Sequence, residues 1–394
     1  MSGSLALNLD FALKVAVLIL LASMLSRELG VSIAVVEIGL GVFGGNVLDL
    51  QPTDWMLFLA SFAGVVLTFL AGVEVDVAIL RSKFKESLLI GGLSFLLPFL
   101  AAWAFAYWAL GWSSNAAKIA GVALSTTSLA VVYAVLVETG LTSTATGKVL
   151  MAATFVTDFG TAAALSILFI SPTLWLIPFA LVSVALIVLV PRLQPGFFGR
   201  YGNRVTEPEI KWVFAALFLL MFLGEKAESH AVLPAFVLGL AMSDAFNTYR
   251  VEQQRLRVVA FALLTPFFFL KAGMSVSVSA MAANLGTIAL LFGVKFIAKL
   301  VGVYPFARRY LHGDAWFTTL LMSTGLTFGT ISSTYGLNAG LITADQFTVL
   351  LTVVIATAIL PTLVAQRFFQ PDAANANVDA PADVAPAPLS EGGG

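Results

Sequence analysis

Cysteine is absent from this chain of 394 residues. Disulfides, thiol catalysis and thiolate metal sites are therefore excluded. Histidine is nearly absent. His230 and His312 are the only two, and neither stands in an HExxH-type pattern. That argues against metal catalysis. Charge is scarce as well: 11% of residues are charged, against about 25% in a soluble domain. A net charge of −1 gives no basis for a nucleic-acid partner. Hydrophobic residues fill the chain instead, 59% of the total, and mean hydropathy is +0.96. This is the composition of a polytopic, all-α membrane protein.

The chain is organised around residues 151–170, MAATFVTDFGTAAALSILFI. The stretch is long enough to cross a bilayer, yet Asp158 sits near its middle. A charge at the bilayer centre costs about 2.5–3.5 kcal/mol on insertion scales. Thr154, Asp158 and Thr161 share one helix face, with Thr157 beside them. That face offers one ionisable oxygen group and several hydroxyls, which suits a small hard cation or a proton. The alternative is a carboxylate neutralised by a structural partner.

Hydropathy predicts about thirteen segments: 9–27, 31–48, 55–79, 87–110, 115–137, 144–170, 172–190, 209–225, 230–246, 256–273, 281–307, 314–335 and 343–368. The first lacks a cleavage site and reads as a retained helix. The longest connection is 192–211, and residues 370–394 read as a disordered tail. Of the 21 Lys and Arg, 15 fall in loops after odd-numbered segments. Only Lys14, Lys118 and Lys226 fall on the other side. By the positive-inside rule the N-terminus is outside and the C-terminus cytoplasmic.

Segment 3 carries TFLAGVEVD and segment 10 carries FFLKAGMSVS. Segment 5 carries ALSTTSLAVV and segment 12 carries MSTGLTFGTISSTYG. Each pair is seven segments apart. An odd offset reverses direction, so segments 1–6 and 8–13 would form two inverted six-helix repeats. Segment 5 has Ser125, Thr126, Thr127 and Ser128 in mid-span. Segment 12 has Ser323, Thr324, Gly325, Thr327 and Gly329. Gly is permissive and hydroxyls satisfy freed backbone groups, so both helices are expected to be discontinuous and crossed. Half-helix ends would then aim partial charges at the centre, which makes Ser125, Thr126 and Thr127 candidate ion- and proton-binding residues with Asp158 and Thr157; the alternative is that these small residues only permit close packing.

Other charges lie inside segments. Lys295 and Lys299 are spaced i, i+4 on segment 11, so they share a face and form a candidate buried counter-charge for Asp158. Lys299 could instead reach the inner interface. Lys271 ends segment 10 and is expected to snorkel. Glu74 and Asp76 close segment 3, where they would pair with the basic loop 81–85 or line a cytoplasmic funnel. Glu37 reads as buried, with no evident partner.

These residues together resemble the monovalent cation/proton antiporter superfamily, which includes bacterial sodium/proton and potassium-efflux antiporters. FLAGVEVD is similar to its FLxGLExD-type motif, and ALSTTSLAVVYAVLVETG to its unwound helix. VTDFGTAA resembles its acidic pair followed by a hydrophobic residue and Gly. KFIAKLVG resembles its lysine helix, and GLTFGTISSTYGL its second unwound helix. The similarity spans about residues 10–368.

The resemblance implies that Asp158 binds cation and proton in turn and that Lys299 is the family's buried lysine. Thr157 stands where electrogenic members carry a second acid, which points to one-for-one exchange. The nucleotide-binding domain of potassium-efflux members is missing from this sequence, which argues against ligand-gated efflux. A transmembrane antiporter domain over 1–369 is implied. Its scaffold would span about 9–79 and 209–273, its ion-carrying core about 87–170 and 281–368, and its linker helix 172–190. The expected protein is a homodimer in the inner membrane, no enzyme, with no cofactor, and its partners are the bilayer, protons and a monovalent cation. Sodium stands ahead of lithium and potassium. Potassium/proton efflux, or a sodium-coupled organic-solute carrier on a related fold, is the alternative. An intramembrane aspartyl protease would need two facing acids in YD and GxGD motifs, and neither motif is present.

Overall fold

The computed structural model describes residues 2–29, 32–75, 77–142, 144–169, 173–202, 204, 206–229 and 231–371. Among them all regular structure is helical. The chain begins with α1 (Ser2–Leu29), α2 (Ile33–Asn46), α3 (Asp54–Val73), the short α4 (Val77–Ser82) and α5 (Phe84–Ala104). Next come α6 (Ser114–Ser125), α7 (Leu129–Glu138), α8 (Ala145–Leu168), α9 (Leu176–Tyr201), α10 (Pro208–Lys226) and α11 (Val232–Thr248). The last third holds α12 (Arg250–Val259), α13 (Thr265–Met274), α14 (Val278–Ala283), α15 (Leu285–Tyr310), α16 (Ala315–Met322), α17 (Thr327–Asn338) and α18 (Ala344–Phe368). Eight helices or continuous helical runs are long and apolar enough to cross a membrane, and 33–46 and 232–246 are shorter apolar helices.

Segments 5 and 12 are each broken as expected, at 126–128 and at 323–326. Segment 3 ends at Val73 rather than residue 79, because the chain leaves the helix at Glu74 and restarts as α4. The expected connection 192–211 is also shorter. α9 continues to Tyr201 through Pro191 and Pro195. Proline already has a helical φ and removes only one ladder bond, so the helix persists where its apolar face stays packed. Val190 and Phe198 keep that face buried. The expected 172–190 linker is thus a longer helix, 176–201, and the tail beyond residue 371 lies outside the described residues.

Segment 10 starts earlier than expected, at Arg250, and contains a π-helical turn at Ala260–Leu264. Pro266 explains the turn. It has no N–H to give and its ring would strike the carbonyl one turn back. The Thr265 hydroxyl donates to the Ala260 carbonyl at 2.9 Å.

The tightest helix pairs meet through glycine. A Cβ on Gly41 would strike the Leu270 carbonyl, and one on Gly273 would strike the Ile38 carbonyl, so α2 and α13 approach backbone to backbone. Gly72 and Gly239 do the same for α3 and α11, against Phe236 and Phe69. This is small-residue packing, in which dispersion replaces the hydrophobic drive absent in lipid. α8 links the α3–α11 pair to the broken helices, touching α3, α5, α6, α11 and α17. Its start is fixed by Thr144, whose hydroxyl accepts from the Gly147 N–H at 3.1 Å. α18 begins the same way, with a full capping box between Thr343 and Gln346.

Candidate functional site

Asp158 lies on α8 with 2% of its surface exposed, and Thr154, Thr157 and Thr161 are fully buried around it. Each hydroxyl is spent on its own helix. Thr154 donates to the Leu150 carbonyl at 2.8 Å, Thr157 to Thr154 at 2.6 Å and Thr161 to Thr157 at 2.8 Å. Their hydrogens therefore point back along α8 and their lone pairs stay available. Asp158 Oδ1 is buried with no hydrogen-bond partner among the described residues. A buried, unpaired carboxylate oxygen is costly, and such groups mark strain or an absent ion.

The two helix breaks touch beside this carboxylate. The Thr127 hydroxyl donates to the Met322 carbonyl at 2.9 Å, which ties the first break to the end of α16. The Ser128 N–H reaches the Thr324 hydroxyl at 3.4 Å. Met322 also returns to α8, where its sulfur lies 3.7 Å from the Thr154 hydroxyl oxygen. Ser125 and Thr126 turn their hydroxyls to the carbonyls of Val122 and Ala123.

Both lysines of α15 are fully buried, and each serves one break. Lys299 Nζ donates to Ser94 Oγ at 2.8 Å, the Ser125 carbonyl at 2.9 Å and Thr127 Oγ1 at 3.1 Å. Ser125 is the last residue of α6, so its carbonyl carries the negative end of that half-helix. Lys295 Nζ donates to Thr357 Oγ1 on α18 at 3.0 Å. It also sits against Gly325 in the second break, where a Cβ would collide with it. A Cβ there would also lie 2.8 Å from Thr126 Oγ1, so Gly325 leaves room for the first break and the ammonium together.

The expected Asp158–Lys299 ion pair is not formed, and no ion pair joins them among the described residues. The reason is local. An ammonium has three N–H donors, and Ser94, Ser125 and Thr127 take all three. The two charges remain close enough to interact through space.

Two further expectations are corrected. Lys271 does not snorkel. It is 4% exposed and donates to Asn338 Oδ1 on α17 at 3.0 Å. Glu74 does not pair with the 81–85 loop. It meets Arg257 of α12 at 3.5 Å, because α12 extends the segment into reach. Glu74 lines a cavity of about 200 Å³ with Tyr133, Lys148, Met151 and Phe155. Asp76 lies outside the described residues. Glu37 is buried, and its Oε2 has no partner among them.

Ser94, Met322 and Thr357 were not singled out in the sequence. Thr357 left a trace there. It stands as far beyond its N-cap Thr343 as Asp158 stands beyond Thr144.

A family model described as "Sodium/hydrogen exchanger, transmembrane" matches residues 15–370. The chain is 26% identical over 357 residues to "Probable Na(+)/H(+) antiporter 3" of Methanocaldococcus jannaschii, covering 86% of this chain and 89% of that protein. It is 23% identical over 370 residues to "Na(+)/H(+)-K(+) antiporter GerN" of Bacillus cereus, covering 90% and 95%. Its fold matches that of the sodium proton antiporter MjNhaP1 from Methanocaldococcus jannaschii at pH 8. The TM-score is 0.70 at 15% identity, over 94% of this chain and 100% of that one.

Proposed function

Because this chain belongs to the sodium/hydrogen exchanger family of membrane transporters, we propose that it exchanges sodium for protons at Asp158 by alternating access. The observation that carries the proposal is the unpaired Oδ1 of Asp158, buried on a face of threonine oxygens where two broken helices meet. An oxygen-only set of one carboxylate and several hydroxyls suits a hard monovalent cation and gives it one compensating charge. A proton neutralises the same group. Each loaded state is neutral at the site, whereas the empty ionised state is expensive in a low-dielectric core. The empty carrier therefore does not cycle, and the two fluxes are coupled.

Exchange is one for one on this reading. Thr157 does not titrate, and Lys299 already spends its donors on the α6 end and the first break. A cation arriving at Asp158 then has no lysine–carboxylate pair to break, and no second proton to release. Thr126, Thr127 and Ser125 act by shaping the junction that Lys299 holds, and Lys295 steadies the second break. Glu74, with Asp76 beside it in sequence, marks the cytoplasmic approach.

The scaffold comprises segments 1–3 and 8–10, and the mobile core segments 4–6 and 11–13. Two observations support the inverted repeat behind this division. The glycine-mediated pairs α2–α13 and α3–α11 exchange under the seven-segment offset. The N-cap threonines of α8 and α18 align Asp158 with Thr357. The protein works as a homodimer in the plasma membrane, N-terminus outside and C-terminus cytoplasmic, without a cofactor. Potassium is the second reading, favoured by the similarity to a relative named for both cations.

The test is reconstitution into liposomes with a trapped pH dye and a panel of sodium, lithium and potassium gradients. Sodium-driven proton flux that is lost in Asp158→Asn is expected. Capacitive current on a solid-supported membrane should stay near zero after a sodium jump. A sustained current following the cation gradient overturns one-for-one exchange, and full flux in Asp158→Asn overturns the site.

A further inference from the structure

Away from Asp158, a cavity of about 920 Å³ opens where α10, α13 and α17 end beside the first half of α3. Its walls are largely apolar, with Phe58, Phe218 and Phe222 among them. These rings are partly exposed, at 55%, 39% and 54%, so the wall is continuous with the protein's outer surface.

The buried part of the cavity is different. Lys271 lines it at 4% exposure and has Asn338 Oδ1 as its one hydrogen-bond acceptor among the described residues, so donors remain. No ion pair joins Lys271 to any acid among the described residues. Glu225 lines the same cavity but is exposed at the end of α10. Thr334 supplies an independent observation. It is 7% exposed, it lines the same cavity, and its hydroxyl has no hydrogen-bond partner among the described residues.

An ammonium taken from water without an anion is expensive. A buried hydroxyl left unpaired costs about 1–3 kcal/mol. One ligand removes both costs if it carries a single negative head on an apolar chain. A mostly apolar cavity of this volume with a few convergent polar groups is the ordinary form of a small-ligand site. We propose that this cavity binds an amphipathic monoanion, its carboxylate or phosphodiester head on Lys271 and Thr334 and its chain along the phenylalanine wall. The ligand would join α13 to α17, so on the transport reading above, occupancy slows exchange. The binding itself does not depend on that reading.

The test uses full-length protein in a neutral detergent, titrated with decanoate, decanol or acetate while thermal unfolding is followed. Decanoate should give saturable stabilisation that decanol and acetate do not. Lys271→Gln should weaken decanoate about tenfold, the worth of one charge-assisted contact. Thr334→Val should weaken it less, and Lys271→Arg should retain it. These two variants keep the test decisive if Lys271→Gln does not fold.

Native mass spectrometry from nanodiscs separates the sources. Lys271-dependent retention of phosphatidylglycerol over phosphatidylcholine makes the ligand a membrane phospholipid. Decanoate binding without that preference makes it a free fatty acid. The proposal fails if decanol or acetate matches decanoate, if the variants bind unchanged, or if neither decanoate nor phosphatidylglycerol binds saturably. Decanoate binding in a protein with no cation-driven proton flux would leave this site standing and remove the transport reading alone.

Discussion

Replacing Lys299 with alanine removes three hydrogen bonds at once: to Ser94, to the Ser125 carbonyl and to Thr127. A hydrogen bond to a charged group contributes about 1.5–3 kcal/mol. The variant also leaves the terminal carbonyl of α6 unpaired in a dry interior. Against this, it recovers the cost of burying an ammonium, which is several kcal/mol. The balance should be a loss of about 2–4 kcal/mol. Thermal unfolding in detergent should therefore begin several degrees lower. A double-mutant cycle with Ser94→Ala should show a coupling of about 0.5–3 kcal/mol, because the two side chains share one bond. Exchange should be lost, since Ser94, the Ser125 carbonyl and Thr127 would lose the one ammonium that holds them together. If Lys299→Ala unfolds at or above the wild-type temperature, the three contacts do not outweigh the buried charge, and the account of Lys299 as the brace of the first break is wrong.

Three further outcomes are expected. Asp158→Asn should abolish sodium-driven proton flux in liposomes yet melt no lower than wild type, because it removes an unpaired buried charge; a markedly lower melting temperature would mean the carboxylate has a structural partner. Thr127→Val should cost about 1–2 kcal/mol by thermal unfolding, since its hydroxyl both donates to Met322 and accepts from Lys299. Its half-saturating sodium concentration should change little, and a large rise would make the hydroxyl a direct ligand. Gly72→Ala should cost about 1–3 kcal/mol through overpacking, because its Cβ would meet the Phe236 carbonyl and lie 2.7 Å from the Leu240 nitrogen. Membrane yield and melting temperature report it, and a neutral result would show that α3 and α11 part easily.

The parts legible in the sequence were those carried by local pattern. Hydropathy marks membrane segments because lipid demands long apolar helices. Asp158 stands out because a carboxylate there is rare. The two breaks are visible as Ser, Thr and Gly clusters, since those residues alone tolerate an unwound backbone at that depth. Partner choice was not legible. Lys299 seemed free for Asp158 until the fold brought Ser94 from α5 and the Ser125 carbonyl against it. Lys271 looked like a surface cation because hydropathy cannot see that Asn338 closes over it from α17. Pro191 and Pro195 read as a loop, but packing of Val190 and Phe198 carried the helix through them.

The π turn at Ala260–Leu264 also bears on how chains of this kind are compared. It is one residue more than an α-helix would use over the same rise. Deleting a residue there would turn it into an ordinary α turn and leave everything beyond it on the same face. Gly273 would stay against the Ile38 carbonyl, and Lys271 against Asn338. A one-residue gap at this point of an alignment would thus record a change of helix winding rather than of loop length. Two chains with matching letters on either side of the gap would still face the same neighbours.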